Sequence, residues 1–242
     1  VDVISATASV QDAVPGWRED VRLDAERESL GLYLTGHPID QFRAELAGFT
    51  HGSIQSVCEK VDAQPQSNRR RKKERETVTA GLVVGMRTKN LNGGGKMGFA
   101  TIDDRSARVD VLVGPELFES HQAILQKDQV LVVSGELGYD DFSGGFRVRA
   151  KSLYDLNSAR QRFARKLWVK FDADLCANGF LDQMEATLEQ YRGGTCQTVI
   201  RYRNQGGVAD LALGEEWLIK PCSELLEKLD ALHDKCVVEL TY

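Results

Sequence analysis

The chain has 242 residues, with 31 Lys and Arg against 36 Asp and Glu, a formal net charge of -5 at pH 7, and 42% hydrophobic residues. That length predicts two or three units, each able to bury a core, and the composition is that of an ordinary soluble protein. No apolar run approaches the roughly 20 residues of a membrane span, and the negative charge argues against coating duplex DNA, which rests on neutralising phosphates with Lys and Arg.

Residues 1–16 carry no hydrophobic period and predict an irregular leader. They lack the basic start and apolar centre of a signal peptide. There is no initiator Met, and the expectation is a piece of a longer protein. Residues 17–63 read as a helical segment. Trp17, Val21, Ala25, Leu30 and Leu34 fall near helical spacing, Gly36 and Pro38 stop that helix, and a second short helix follows from Ile39 to Leu46. Residues 64–76, with five consecutive cations from Arg69 to Lys73, read as a basic linker, either simply solvated or an arm that contacts phosphates.

From Thr77 the period changes to two. The run to Thr88 places Val78, Ala80, Leu82, Val84 and Met86 on one face of a strand. A glycine-rich turn from Asn90 to Gly95 leads to a second strand, Lys96 to Ile102. A tight polar turn joins that strand to a third, Arg108 to Val113. Pro115 to Leu125 reads as a helix, and strands at Gln129 to Tyr139 and Gly145 to Leu156 complete the set. Three strands, a helix and two strands in this order define residues 77–157 as an OB-fold, a five-stranded Greek-key barrel that binds oligonucleotides or oligosaccharides.

Residues 158–242 read as a small α+β domain. A polar helical connection, Ala159 to Lys166, precedes a strand at Leu167 to Asp172 and a helix at Leu175 to Tyr191. Strands are predicted at Thr195 to Arg203, Val208 to Leu213 and Trp217 to Lys220, then a helix at Glu224 to Leu232 and a strand at Val237 to Thr241. The predicted fold class is therefore mainly β plus α+β. Cys58, Cys176, Cys196, Cys222 and Cys236 are odd in number and form no Cys-x-x-Cys pair, so reduced thiols are expected rather than disulfides or a zinc site.

Several blocks carry a family resemblance. The run RESLGLYLTGHPIDQF from Arg27 to Phe42, together with AGLVV from Ala80, TIDDRS from Thr101, DQVLVVSG from Asp128 and YDDFSGG from Tyr139, closely resembles the C-family bacterial replicases, the DNA polymerase III alpha subunits. The match runs from the end of the fingers region through the OB-fold. By chain order, more than by likeness of sequence, residues 158–242 resemble the domain that binds the tau subunit of the clamp loader. The resemblance implies a DNA-directed DNA polymerase as parent, a bacterial cytoplasmic protein of the replisome, using magnesium held by carboxylates far upstream of the matched region. No cofactor and no catalytic residue is then expected here. It also implies a sliding-clamp contact through a short Gln- and Phe-containing motif. None occurs between Val1 and Trp17, so that motif is expected upstream.

Single-stranded DNA binding needs cations along the backbone path and aromatic faces for stacking. The candidates in the barrel are Arg87, Lys89, Lys96, Phe99, Arg105, Arg108, Arg147 and Arg149. Phe99 shares a face with Met97 and Thr101, and either that face or the one carrying Gly98, Ala100 and Ile102 lines the barrel. Phe142 either stacks on a base or covers the barrel end. The pairs Asp103-Asp104 and Asp140-Asp141 lie in predicted turns, where Asp bonds the local backbone, rather than in a metal site. His37 reads as part of a helix-ending turn, not as a base. The loop from Asn92 to Lys96 joins two strands and lacks the full phosphate-loop pattern. Trp168, Phe171, Trp217 and Leu218 are the candidate anchors for a protein partner. The rival to DNA binding is a pure interaction module with the barrel as a spacer. An unrelated OB-fold enzyme or tRNA-binding protein would need catalytic or anticodon motifs that the sequence lacks.

Overall fold

The structure, a computed structural model, describes residues 22, 25, 29, 36–62, 74–140, 144–176 and 179–242. The chain divides into two units, residues 1–40 and 41–242. In the first unit Arg22, Ala25 and Ser29 are helical, while the rest of the helix expected over Trp17 to Leu34, and the leader, lie outside the described residues. His37 is used locally. Its ring Nδ1 accepts from the Ile39 N–H at 3.3 Å, and its backbone N–H donates to Asp40 at 3.2 Å.

A 3-10 turn at Asp40–Phe42 leads into α1 (Arg43–Ala47) and then α2 (Ile54–Asp62). The barrel hairpin supplies the partners that the start of α2 needs: Asp104 Oδ2 accepts from the Ile54 N–H at 2.8 Å, and Ser106 Oγ accepts from the Gln55 N–H at 3.1 Å. Asp104 Oδ1 meanwhile holds the Ser106 and Ala107 N–H groups, and Asp103 holds the Arg105 N–H and Arg108 Nε. These carboxylates are committed to the turn, as Asp in hairpin loops commonly is. Residues 63–73, including the basic run, lie outside the described residues.

The barrel consists of β1 (Arg75–Asn90), β2 (Lys96–Asp103), β3 (Arg108–Val113), α3 (Pro115–Ser120), β4 (Val130–Asp140) and β5 (Gly145–Tyr154). The strands close in the order β1-β2-β3-β5-β4, with β3 and β5 parallel and the other pairs antiparallel. This is the five-stranded OB-fold. The helix predicted to reach Leu125 ends at Ser120, and a 3-10 turn at Gln122–Ile124 takes its place.

One expectation fails in β1. The single face proposed for Val78, Ala80, Leu82, Val84 and Met86 is divided by a register shift between Val83 and Gly85. A bulge adds one residue and inverts the parity of the residues beyond it. Val83 before it and Met86 after it therefore join the barrel core, on the side where Thr77 and Thr79 are buried, while Ala80 and Leu82 bury outside that core. The cause lies in the strand's length: β1 pairs with β4 through its first half and with β2 through its second, and must bend between them.

In β2 the small set faces inward. Ala100 and Ile102 pack with Val109, Val111 and Val113 of β3. Gly98 sits in the same row, and a Cβ there would lie 2.7 Å from Phe118 and 2.9 Å from Met86. The glycine thus makes room for Phe118 of α3 to close that end of the barrel.

After the barrel come α4 (Leu156–Phe163), β6 (Lys166–Asp172), α5 (Phe180–Glu189), β7 (Arg192–Asn204), β8 (Gly207–Ala212), α6 (Ser223–Asp230) and β9 (Val237–Thr241). The sheet order is β8-β7-β6-β9, with β6 and β7 parallel across the α5 crossover. Leu167, Val169 and Phe171 of β6 face Phe180, Met184 and Leu188 of α5 and Leu225 and Leu229 of α6. The predicted helix from Leu175 begins only at Phe180, after a 3-10 turn at Ala173–Cys176. The predicted strand at Trp217 to Lys220 does not form. A 3-10 turn at Glu215–Trp217 is followed by extended chain in which the fully buried Ile219 makes isolated bridges to Arg192 and Cys196.

The segment around α1, α4 and the C-terminal domain meet in a buried cluster. Arg160 of α4, 6% exposed, grips Glu45 of α1 with Nε and Nη2 at 2.6 and 2.8 Å, and its Nη1 donates to Ser223 Oγ at 2.6 Å. Tyr242 donates its hydroxyl to the same Glu45 carboxylate. Its ring tilts against Phe49, which stacks on Phe163 with centroids 5.1 Å apart. Gly48 allows the approach, since a Cβ there would lie 2.8 Å from the Tyr242 ring.

Candidate nucleic-acid interface

With Gly98, Ala100 and Ile102 inside, Met97, Phe99 and Thr101 are outside, and the choice left open by the sequence is made. Register then fixes the outer face. One row runs Arg87, Phe99, Leu112, Arg149 across β1, β2, β3 and β5, and the next runs Gly85, Thr101, Asp110, Arg147. The Arg147 guanidinium carbon stands 5.9 Å from the Phe99 ring centroid, within cation–π range. The β1–β2 loop, carrying Lys89 and Lys96 at its base, lies at one end of this face, and the β4–β5 turn lies toward the other. In OB-folds the face of strands two and three, bordered by these loops, is the oligonucleotide groove.

Most of the cations on the face are already engaged. Arg87 Nη2 lies 3.8 Å from Asp110 Oδ2, Arg147 Nη1 2.8 Å from Asp140, and Arg149 Nη2 3.5 Å from Glu74. Lys151 lies 2.7 Å from Glu76 and 2.9 Å from Glu136. Hydrogen bonds donated to Glu76 and Glu136 raise the Lys151 pKa, and the bond from Lys151 lowers that of Glu136. Lys89 and Lys96 are exposed and make no ion pair among the described residues. Arg108 shares the outer face but sits at its far end, bound to Asp103 at 2.7 Å. Arg105 lies in the turn itself, with a left-handed backbone at φ 74°. The structure thus brings Arg87, Phe99, Arg147 and Arg149 together, sets Lys89 and Lys96 at the loop, and leaves Arg105 and Arg108 to the hairpin.

The sequence reading missed Leu112, Thr101 with Asp110, and Tyr139 with Phe146. The last two rings meet edge to face, with centroids 5.5 Å apart. Counting outward from the β2–β3 turn finds the first three, because the pairing of Asp103 with Arg108 puts Thr101 opposite Asp110 and Phe99 opposite Leu112. Phe142 and Asp141 lie outside the described residues. No group of three or more His, Cys, Asp or Glu among the described residues is placed to hold a metal ion. Burial raises the Cys58 and Cys236 thiols to about 11 and that of Cys196 to about 12, so all three stay protonated at neutral pH.

The C-terminal candidates separate. Phe171, 5% exposed, packs on Phe180 and belongs to the core, where it offers no surface. It sits on the odd-numbered, helix-facing side of β6. Trp217 lies against the core with the Arg192 guanidinium 4.8 Å from its ring centroid, and the Leu218 carbonyl accepts from the Gly193 and Gly194 N–H groups. Trp168 is on the sheet face away from the helices, bonded to Thr241 at 3.1 Å with the Arg201 guanidinium 4.7 Å from its centroid. Val208 (60% exposed) and Val237 (48%) share that face, and both were missed.

Fold and face define an OB-fold barrel joined to a small α+β domain. Residues 77–156 match the family model of an OB-fold nucleic acid binding domain, and residues 183–232 match that of the DNA polymerase III subunit alpha C-terminal domain. The DNA polymerase III subunit alpha of Vibrio cholerae is 37% identical over 228 residues, covering 93% of this chain and 19% of that protein. That of Escherichia coli (strain K12) is 34% identical over 226 residues, with coverages of 93% and 19%. The chain therefore resembles, over nearly its whole length, the C-terminal region of the DNA polymerase III alpha subunit, and it spans about a fifth of the length of these relatives. Among solved structures, a small single-stranded DNA-binding protein from Streptomyces coelicolor overlaps 34% of this chain and 94% of its own, at 15% identity and a TM-score of 0.29, a likeness too slight to bear on function. No helix among the described residues is long and apolar enough to cross a membrane.

Proposed function

We propose that this chain is the template-guiding and partner-docking end of a replicative DNA polymerase, with single-stranded DNA on the outer face of the barrel and a protein partner on the C-terminal domain. The observation that carries the first half is Phe99, an aromatic ring on the outer face with Arg87 beside it in the register and Arg147 above it. A ring flanked by two cations suits a base stacked on the aromatic face with its phosphates to either side. Lys89 and Lys96 at the loop extend the phosphate path. The partner, by resemblance to the alpha subunits, is the tau subunit of the clamp loader, and the parent activity is DNA-directed DNA synthesis with magnesium held elsewhere in the longer protein. This reading places the protein in the bacterial replisome, in the cytoplasm, with the sliding clamp bound through another segment.

The test is fluorescence anisotropy of a labelled single-stranded oligonucleotide against the 242-residue chain, beside a duplex of equal length. Preference for the single strand, with about 1 to 3 kcal/mol lost in Phe99→Ala, is the expected result. Equal binding of Phe99→Ala and the native chain would remove the ring from the DNA path. The engaged state of the cations favours one alternative reading, the barrel as spacer, and absence of any single-strand binding at low salt would establish it.

A further inference from the structure

Asp110 stands in the middle of the outer face, and a carboxylate is an unexpected group to meet a phosphate chain. It is held there firmly. Oδ1 accepts from the Thr101 hydroxyl at 2.7 Å, across the β2–β3 pair. Oδ2 lies 3.8 Å from Arg87 Nη2, and the residue opposite on β5 is Arg147. The Asp110 side chain is 29% exposed against 74% for Arg87, so the carboxylate is fixed while the cation is free to swing.

We propose that Asp110 is an internal competitor for the DNA backbone, holding Arg87 in the absence of DNA and weakening the grip of the face on a bound strand. This inference rests on the reading of that face as the single-strand site. A phosphate that reaches Arg87 replaces Oδ2 as its partner, so the contact is an exchange of anions rather than a new ion pair. The carboxylate then remains one row from Phe99, anchored by Thr101, and repels the phosphates on either side. Both effects lower affinity without altering the stacking ring. A strand held in this way dissociates and re-forms quickly, which suits a template that must move past the barrel one nucleotide at a time.

The discriminating variant is Asp110→Asn, which keeps the shape and can still accept from Thr101 while removing the charge. Glu119→Gln, at an exposed position of α3 outside the two rows of the face, makes the same change in net charge and serves as the control. Anisotropy with a labelled single-stranded oligonucleotide at low salt is expected to show Asp110→Asn binding about three- to tenfold tighter than the native chain. Its dependence on log salt should be steeper by roughly 0.7, the value of one added phosphate contact on a single strand. Glu119→Gln should behave as the native chain does. Adding Arg87→Ala to Asp110→Asn should remove much of the gain. Detectable binding by Asp110→Asn alone would also support the proposal. If the native chain binds, loses affinity with Phe99→Ala, and is unchanged in Asp110→Asn, the competitor role is overturned while the site stands. An equal gain in Glu119→Gln would overturn it too, since net charge would then suffice. Binding by neither the native chain nor Asp110→Asn would overturn the site and the proposal together. A thermal melt of each variant establishes that it is folded.

Discussion

Tyr242 and Glu45 lie 197 positions apart and share one hydrogen bond where α1 meets the C-terminal domain. No local pattern marks either residue. Their meeting depends on the barrel closing and the sheet completing its last strand. Burial, and then the bond to Glu45, raise the Tyr242 phenol above its ordinary value of 10.0. A group whose folded pKa is raised contributes stability that is full below the unfolded pKa and is lost as pH rises through the folded one. The native chain should therefore lose stability above about pH 10, where the unfolded phenol ionises and the folded one does not. Cys58, Cys196 and Cys236, with pKa values of their own raised by burial, add to this loss. Tyr242→Phe separates the two contributions. It should be less stable by about 1 kcal/mol at pH 7 for want of the hydrogen bond, and the gap should narrow above pH 10. Chemical denaturation at the two pH values measures it, and a gap that stays constant would show that the phenol does not titrate with folding.

At the scale of elements, short-range chemistry made most of the barrel legible. The polar turn between β2 and β3, the glycine-rich loop after β1 and the period-two runs placed all five barrel strands to within a few residues. The features that stayed hidden depended on long-range pairing. The bulge in β1 exists because one strand serves two neighbours, and the extended segment at Ile219 is fixed by bridges to β7. The same limit applied to the candidate partner surface. Aromatic content pointed to Phe171, which the parity of β6 turns inward, whereas Val208 and Val237 are unremarkable in sequence and become a surface only once β8 and β9 flank the sheet. If that face docks tau, Val208→Asp with Val237→Asp should abolish capture of purified tau by the chain. Exposed positions such as these ordinarily change stability within about 0.5 kcal/mol. Undiminished capture by a folded double variant would move the partner to another surface.

Across the whole molecule, a net charge of -5 and a barrel whose face cations are mostly paired leave no strong positive field, so the proposed contact with a single strand is a local one. Composition had argued only against coating duplex DNA. The sequence also supplied the candidate residues, and only the register could sort Arg87, Phe99, Arg147 and Arg149 onto one face and leave Arg105 and Arg108 at the hairpin. The central claim is that a single strand lies on that face. Hydrogen exchange of the 242-residue chain, with and without a saturating single-stranded oligonucleotide, tests it most directly. The account predicts added protection in β2, in β3 and in the loop from Leu91 to Gly95, with the C-terminal sheet unchanged. Protection confined to the C-terminal sheet, or none in the barrel while DNA is bound, would contradict it.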